Sequence, residues 1–104
     1  MFATIRRYEA VDQARTDELI KKCDDTLMPL LSELPGFNGY YLIEAGNGIV
    51  SSVSFFDTSE HADESSRVAT NWVREQNLES ALPNAPKITS GEIVVHKAPE
   101  LVQA

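Results

Sequence analysis

Two residues of one segment, His61 and Trp72, offer this chain its most direct route to chemistry. An imidazole titrates near neutral pH and can act as a general base. An indole can wall an aromatic pocket and donate its N–H. On a helix, positions 61, 65, 68 and 72 follow one ridge, so both side chains can face one cavity. His61 and Trp72 are therefore the candidate catalytic residues. The plain alternatives are a surface histidine without a partner at its spacing and a tryptophan that anchors the core.

A second group precedes them: Arg6, Arg7, Asn38, Tyr40 and Tyr41. Such side chains can orient a carbonyl or phenolate, and Asn38, Tyr41 and Arg7 are the candidate substrate-binding residues. Tyrosine and arginine serve equally at dimer contacts and strand edges. Other chemistries find no support. His61 and His96 stand far apart, and no cysteine or histidine cluster has metal spacing. His96 reads as a strand-end residue. Gly46-Asn47-Gly48 has no helix after it to bind phosphate, and there is no Gly-x-Ser-x-Gly elbow. Cys23 falls in an apolar helical stripe, where an inert thiol is expected. Neither a metal nor a cofactor is expected.

Composition narrows the partners. The net charge of −7 argues against nonspecific nucleic-acid binding, which needs a positive surface. No apolar run approaches the roughly 20 residues of a membrane span. The N-terminus lacks the basic and apolar regions of a signal peptide, so a cytoplasmic location is expected. A chain of 104 residues with a 42% hydrophobic fraction fits one domain with its own core. That domain is expected over 1–97, with 98–104 as a tail.

The elements that must position the candidates follow from periodicity. Alternation predicts a strand over 2–8, with Phe2, Thr4, Arg6 and Tyr8 on one face. Asp12 can cap a helix that runs to about Leu34, its stripe formed by Leu19, Ile20, Cys23, Leu27, Leu30, Leu31 and Leu34. Pro29 interrupts the pattern and should kink or divide the helix. Pro35-Gly36 ends it. Strands over about 37–44 and 49–56 flank Asn47-Gly48, which suits a type I′ hairpin. Asp57-Thr58-Ser59-Glu60 reads as a capping box with Asp57 at the cap. A second helix runs to about Asn77, with Ala62, Ser65, Val68, Ala69, Trp72 and Val73 inward. Two prolines keep 78–86 irregular, and a last strand covers about 87–96.

The order is β-α-β-β-α-β. It predicts an α+β, ferredoxin-like fold: a four-stranded antiparallel sheet with two helices on one face. Two helices cover one face only, whereas Phe2, Tyr8, Tyr40, Leu42, Phe56 and Val94 place apolar surface on both. An uncovered apolar face is a partner site, so a homodimer through sheet faces is expected.

Pro35-Gly36-Phe37-x-Gly39-Tyr40-Tyr41-Leu42 after the first helix, and Phe55-Phe56-Asp57-Thr58-Ser59-Glu60 before the second, resemble the dimeric α+β barrel superfamily. The nearest group is the antibiotic-biosynthesis-monooxygenase-like proteins, over roughly residues 2–96. The resemblance implies a barrel built across a dimer, with a small-molecule pocket between sheet and helices in each subunit. It implies one of two functions. One is a cofactor-independent monooxygenase acting on a small aromatic compound, which itself reduces oxygen. The other is a noncatalytic small-molecule-binding or stress-associated dimer. The haem-degrading relatives carry a ligating histidine after the tryptophan, and residues 73–95 contain none.

Overall fold

The computed structural model describes residues 1–97; the expected tail, 98–104, lies outside the described residues. Four strands form one antiparallel sheet: β1 (Phe2–Tyr8), β2 (Phe37–Gly46), β3 (Ile49–Phe56) and β4 (Lys87–Glu92). Their spatial order is β2-β3-β1-β4. Helical segments cover one face, and the element order is that of a ferredoxin-like α+β fold.

Register explains which side chains look inward. Arg6 lies opposite Ser52, Thr4 opposite Ser54 and Tyr8 opposite Val50. Tyr40 meets Ser54, and Leu42 meets Ser52. Directly opposed residues share a face, so Thr4, Arg6, Tyr8, Tyr40, Leu42 and the even-numbered residues of β3 point to the helices. Most residues expected to spread over both faces thus belong to one. The other face carries Ile5, Tyr41, Ile43, Val53 and Phe55, the first three exposed. The hairpin forms as expected, with φ of 55° at Asn47 and 76° at Gly48. The last strand is shorter than expected: it ends at Glu92, and Val94 and Val95 are exposed beyond it.

The first helix is divided, as Pro29 requires. Asp12 caps a 3₁₀ turn (Gln13–Arg15), and α1 (Thr16–Lys22) follows. A π-helical turn (Cys23–Leu27) then leads into α2 (Met28–Ser32). Met28 N–H donates to the Cys23 carbonyl, five residues back. The wider turn lets Pro29 sit in the first turn of α2, where its missing N–H costs nothing. The stripe Leu19, Cys23, Leu27 and Leu31 stays buried through the change of pitch.

The second long helix, α3 (Ser59–Glu75), is capped by Thr58, not Asp57: the Thr58 hydroxyl accepts from His61 N–H. Asp57 is held elsewhere, its N–H on the Gly36 carbonyl and its carboxylate on Asn38. At the other end Asn77, with φ of 58°, takes the left-handed position. Leu78 N–H reaches the Val73 carbonyl and Asn77 N–H the Arg74 carbonyl, a Schellman closure. The following turn is no idle loop. Leu78 and Ala81 are fully buried and seal the core built on Trp72, Val50 and the first-helix stripe.

Candidate functional site

The space between sheet and helices is not fully closed by packing. Leu19, Cys23, Leu27 and Leu31 wall it from the first helix, and Trp72, Ala69 and Val73 from α3. Its floor is polar for a core: Thr4, Arg6, Ser52 and Ser54 of the sheet are buried, as is Ser65 of α3. The cavity measures about 40 Å³, room for roughly two or three waters. Arg6, Tyr8, Val73 and Leu82 also line an open cleft of about 270 Å³, bounded further by Pro83 and Pro86. A separate groove of about 580 Å³ lies outside, between α1 with the π turn and the edge strand β2.

Trp72 is the one candidate that lines this cavity. Its ring walls the space, but its indole N–H is committed to Thr26 Oγ1 at 2.7 Å. Thr26 in turn donates to the Lys22 carbonyl at 2.7 Å. The indole therefore ties α3 to the π turn, and a ligand would meet its face rather than its donor.

The other four candidates lie elsewhere. His61 is not among the cavity residues. Its ring packs on Gly36, so closely that a Cβ there would stand 2.3 Å from Nδ1. Nδ1 itself is buried without a hydrogen-bond partner. The ridge argument fails: Ser65 and Trp72 reach the cavity, whereas His61, at the start of α3, packs on Gly36 in the corner before β2. Asn38 is exposed in that corner, donating to the Gly36 carbonyl and to Asp57 Oδ1 at 2.6 Å. Tyr41 is 63% exposed on the outer face, edge-on to Phe55 with ring centres 6.0 Å apart. Arg7 also faces outward and pairs with Glu9 at 3.0 Å.

Their neighbours in sequence occupy the site instead. Tyr40 and Arg6 take the inward positions that alternation denies to Tyr41 and Arg7. The signal was present in the shared face of Thr4, Arg6 and Tyr8; what was missing was which face the helices cover. Burial pushes the Tyr40 phenol up, and the nearby Cys23 thiol adds to this. Cys23 Sγ contacts the Tyr40 hydroxyl at 3.6 Å, and burial raises this thiol too. Burial likewise raises Tyr8, although Arg6 opposes the shift. The site thus offers protonated phenols as donors and an inert thiol. Among the described residues, no group of three or more His, Cys, Asp or Glu could hold a metal ion, and no helix is long and apolar enough to cross a membrane.

Comparison with solved structures places this architecture. The ActVA-Orf6 monooxygenase of Streptomyces coelicolor, solved with nanaomycin D, superposes with a TM-score of 0.71 at 14% identity, over 95% of this chain and 92% of that one. An antibiotic biosynthesis monooxygenase gives 0.72 at 12% identity, over 91% and 100%. The fold is that of the antibiotic-biosynthesis-monooxygenase-like proteins. A dimeric ferredoxin-like protein from an uncultured marine organism shares it, with a TM-score of 0.68 at 16% identity over 94% and 98%. No protein-family model matches the sequence, and no curated protein matches it. At these identities the monooxygenase-like likeness is one of fold.

Proposed function

We propose that this protein is a homodimeric small-molecule-binding protein of the monooxygenase-like ferredoxin fold, with its ligand held between sheet and α3. The observation that carries this reading is the polar floor under Trp72. A purely structural core would have no use for Thr4, Arg6, Ser52 and Ser54 at its centre, where apolar side chains would pack better. The ligand would lie across the mouth formed by Arg6 and Tyr8, because the inner cavity alone is too small for an aromatic ring. The partner would be a second copy meeting the outer face, where Ile5, Tyr41 and Ile43 are exposed on one side of the sheet. Sedimentation at tens of micromolar should show a dimer, and a monomer there rejects that part. For the ligand, thermal unfolding against a panel of small aromatics should show a rise of several degrees at saturating concentration. A panel that leaves Tm unchanged rejects the binding reading.

The names of the neighbours favour a second reading, cofactor-independent oxygenation of a small aromatic. Such a reaction needs the substrate as an electron-rich anion. Tyr8 and Tyr40 are poor bases with raised pKa values, and His61 is outside the cavity. The substrate would therefore have to ionise in solution before it binds. Oxygen uptake with an electron-rich phenol, compared at pH values on either side of the phenol's own pKa, separates the readings. Uptake that follows substrate ionisation supports oxygenation; binding without uptake supports the first reading.

A further inference from the structure

Arg6 presents a charge without a counter-charge. It is 9% exposed, and its Nε is buried with no hydrogen-bond partner. Its Nη2 makes two long bonds to neutral acceptors, the Ser66 carbonyl at 3.4 Å and the Thr70 hydroxyl at 3.3 Å. Among the described residues no carboxylate pairs with it, although Arg7, Arg15 and Arg67 each have one. A guanidinium withdrawn from water and left unpaired is destabilising.

The surroundings point the same way. The chain carries a net charge of −7, yet the cleft beside Arg6 brings in Arg74 against the single carboxylate of Glu79. Arg74 has only a 3.4 Å contact to Asn71 Oδ1. Tyr8, kept protonated by burial, stands at the same mouth as a neutral donor. Val73, Leu82, Pro83 and Pro86 give the cleft an apolar side, beside Thr70 and Asn84. Its volume of about 270 Å³ sits at the lower edge of small-ligand sites, about 300–1,000 Å³.

We infer that this cleft binds a small monocarboxylate with an apolar or aromatic body, its carboxylate received by the Arg6 guanidinium. The inference rests on the ligand-binding reading above and gives that ligand its chemical class. A carboxylate matches the fork of a guanidinium, which offers parallel N–H donors. One buried guanidinium supplies one positive charge, which suits a monoanion. A dianion such as phosphate is further disfavoured because Thr70, Val73 and Arg74 belong to the C-terminal half of α3, the negative end of its dipole.

The test uses the whole chain with two probes of equal shape, benzoate and benzamide. Calorimetry should show benzoate binding at least roughly tenfold tighter, the scale of a charge-assisted pair. Benzoate should also shift the Arg6 Nε–H resonance in a ¹⁵N-labelled sample. Arg6→Met should erase the preference, and Arg6→Lys should keep part of it. If Arg6→Met does not fold, the wild-type resonance still decides. Equal affinity for the two probes, or an Nε–H signal that benzoate does not move, overturns the inference and leaves the ligand-binding reading standing. Binding of neither probe removes both.

Discussion

The two ends of α3 are built for opposite purposes. At its N-terminus, His61, Gly36, Asn38 and Asp57 form a corner laced by bonds from Asn38 to the Gly36 carbonyl and Asp57 and from His61 N–H to Thr58. Nothing there has room for a ligand, since Gly36 lacks even a Cβ to make way for the imidazole. At the C-terminal half, Trp72 lines the inner cavity, and Val73 lines both that cavity and the open cleft beside Arg6 and Tyr8. A histidine is commonly the first suspect for chemistry, yet here it sits at the closed end. An arginine with no carboxylate partner among the described residues sits at the open one. Residue type ranks candidates; access to space decides among them.

The contrast can be broken most forcefully at Trp72. Trp72→Ala removes a buried ring and its bond to Thr26, and should cost about 3–5 kcal/mol in urea unfolding. Trp72→Phe keeps most of the ring and should lose about 1–3 kcal/mol through the lost bond to Thr26 and the smaller volume. Equal losses for the two variants would mean that the hydrogen bond, not the ring, anchors the open end.

The closed end is tested by Gly36→Ala. With φ at +77° and the new Cβ 2.3 Å from His61 Nδ1, the cost should be roughly 2–4 kcal/mol, combining left-handed strain and overpacking. His61→Ala should recover the overpacking part but not the strain, a coupling of about 1 kcal/mol or more in a double-mutant cycle. Strict additivity would show that His61 does not rest on Gly36. His61→Ala alone should leave benzoate affinity unchanged.

A smaller effect comes from the network that braces the open end. Arg15 reaches Ser80 and the Asn77 carbonyl, Lys22 reaches the Gln76 carbonyl, and both pair with Glu18. Hydrogen bonds from Arg15 first and Lys22 second lower the Glu18 carboxyl from 4.5 to about 2. Because the folded pKa lies below the unfolded one, the contribution is complete above about pH 4.5 and is lost as pH falls through about 2. Thermal unfolding should therefore weaken across that window, and Glu18→Gln should flatten this part of the profile. The smallest change is expected at Arg7, exposed and paired only with Glu9. Arg7→Ala should alter stability by less than about 0.5 kcal/mol. A loss of probe binding in that variant would reverse the assignment of Arg6 and Arg7 to their faces.

Much was legible in the chain before any coordinates. Alternation over 2–8 and 49–56 marked β1 and β3 to the residue, and Asn47-Gly48 marked the hairpin, because these signals are local. The break at Pro29 was legible for the same reason, while its resolution as a π turn was not. The cap was misplaced by one residue, since Asp57 and Thr58 are both good caps and only the pull of Gly36 and Asn38 on Asp57 selects Thr58. The last strand was drawn too long because Ile93, Val94 and Val95 have strand propensity but β1, the strand that pairs with β4, begins at Phe2.

The sequence by itself determined the element order, the turns and the pairing of faces, since backbone geometry imposes periods of two and 3.6 whatever surrounds them. It also determined that Arg6 and Arg7, like Tyr40 and Tyr41, must point in opposite directions. Only the tertiary structure decided which member of each pair looks inward, because that depends on which side of the sheet the helices cross. It alone decided where space was left: the His61 ring closes on Gly36, while a cavity stays open beside Trp72 and Arg6, whose Nε has no partner.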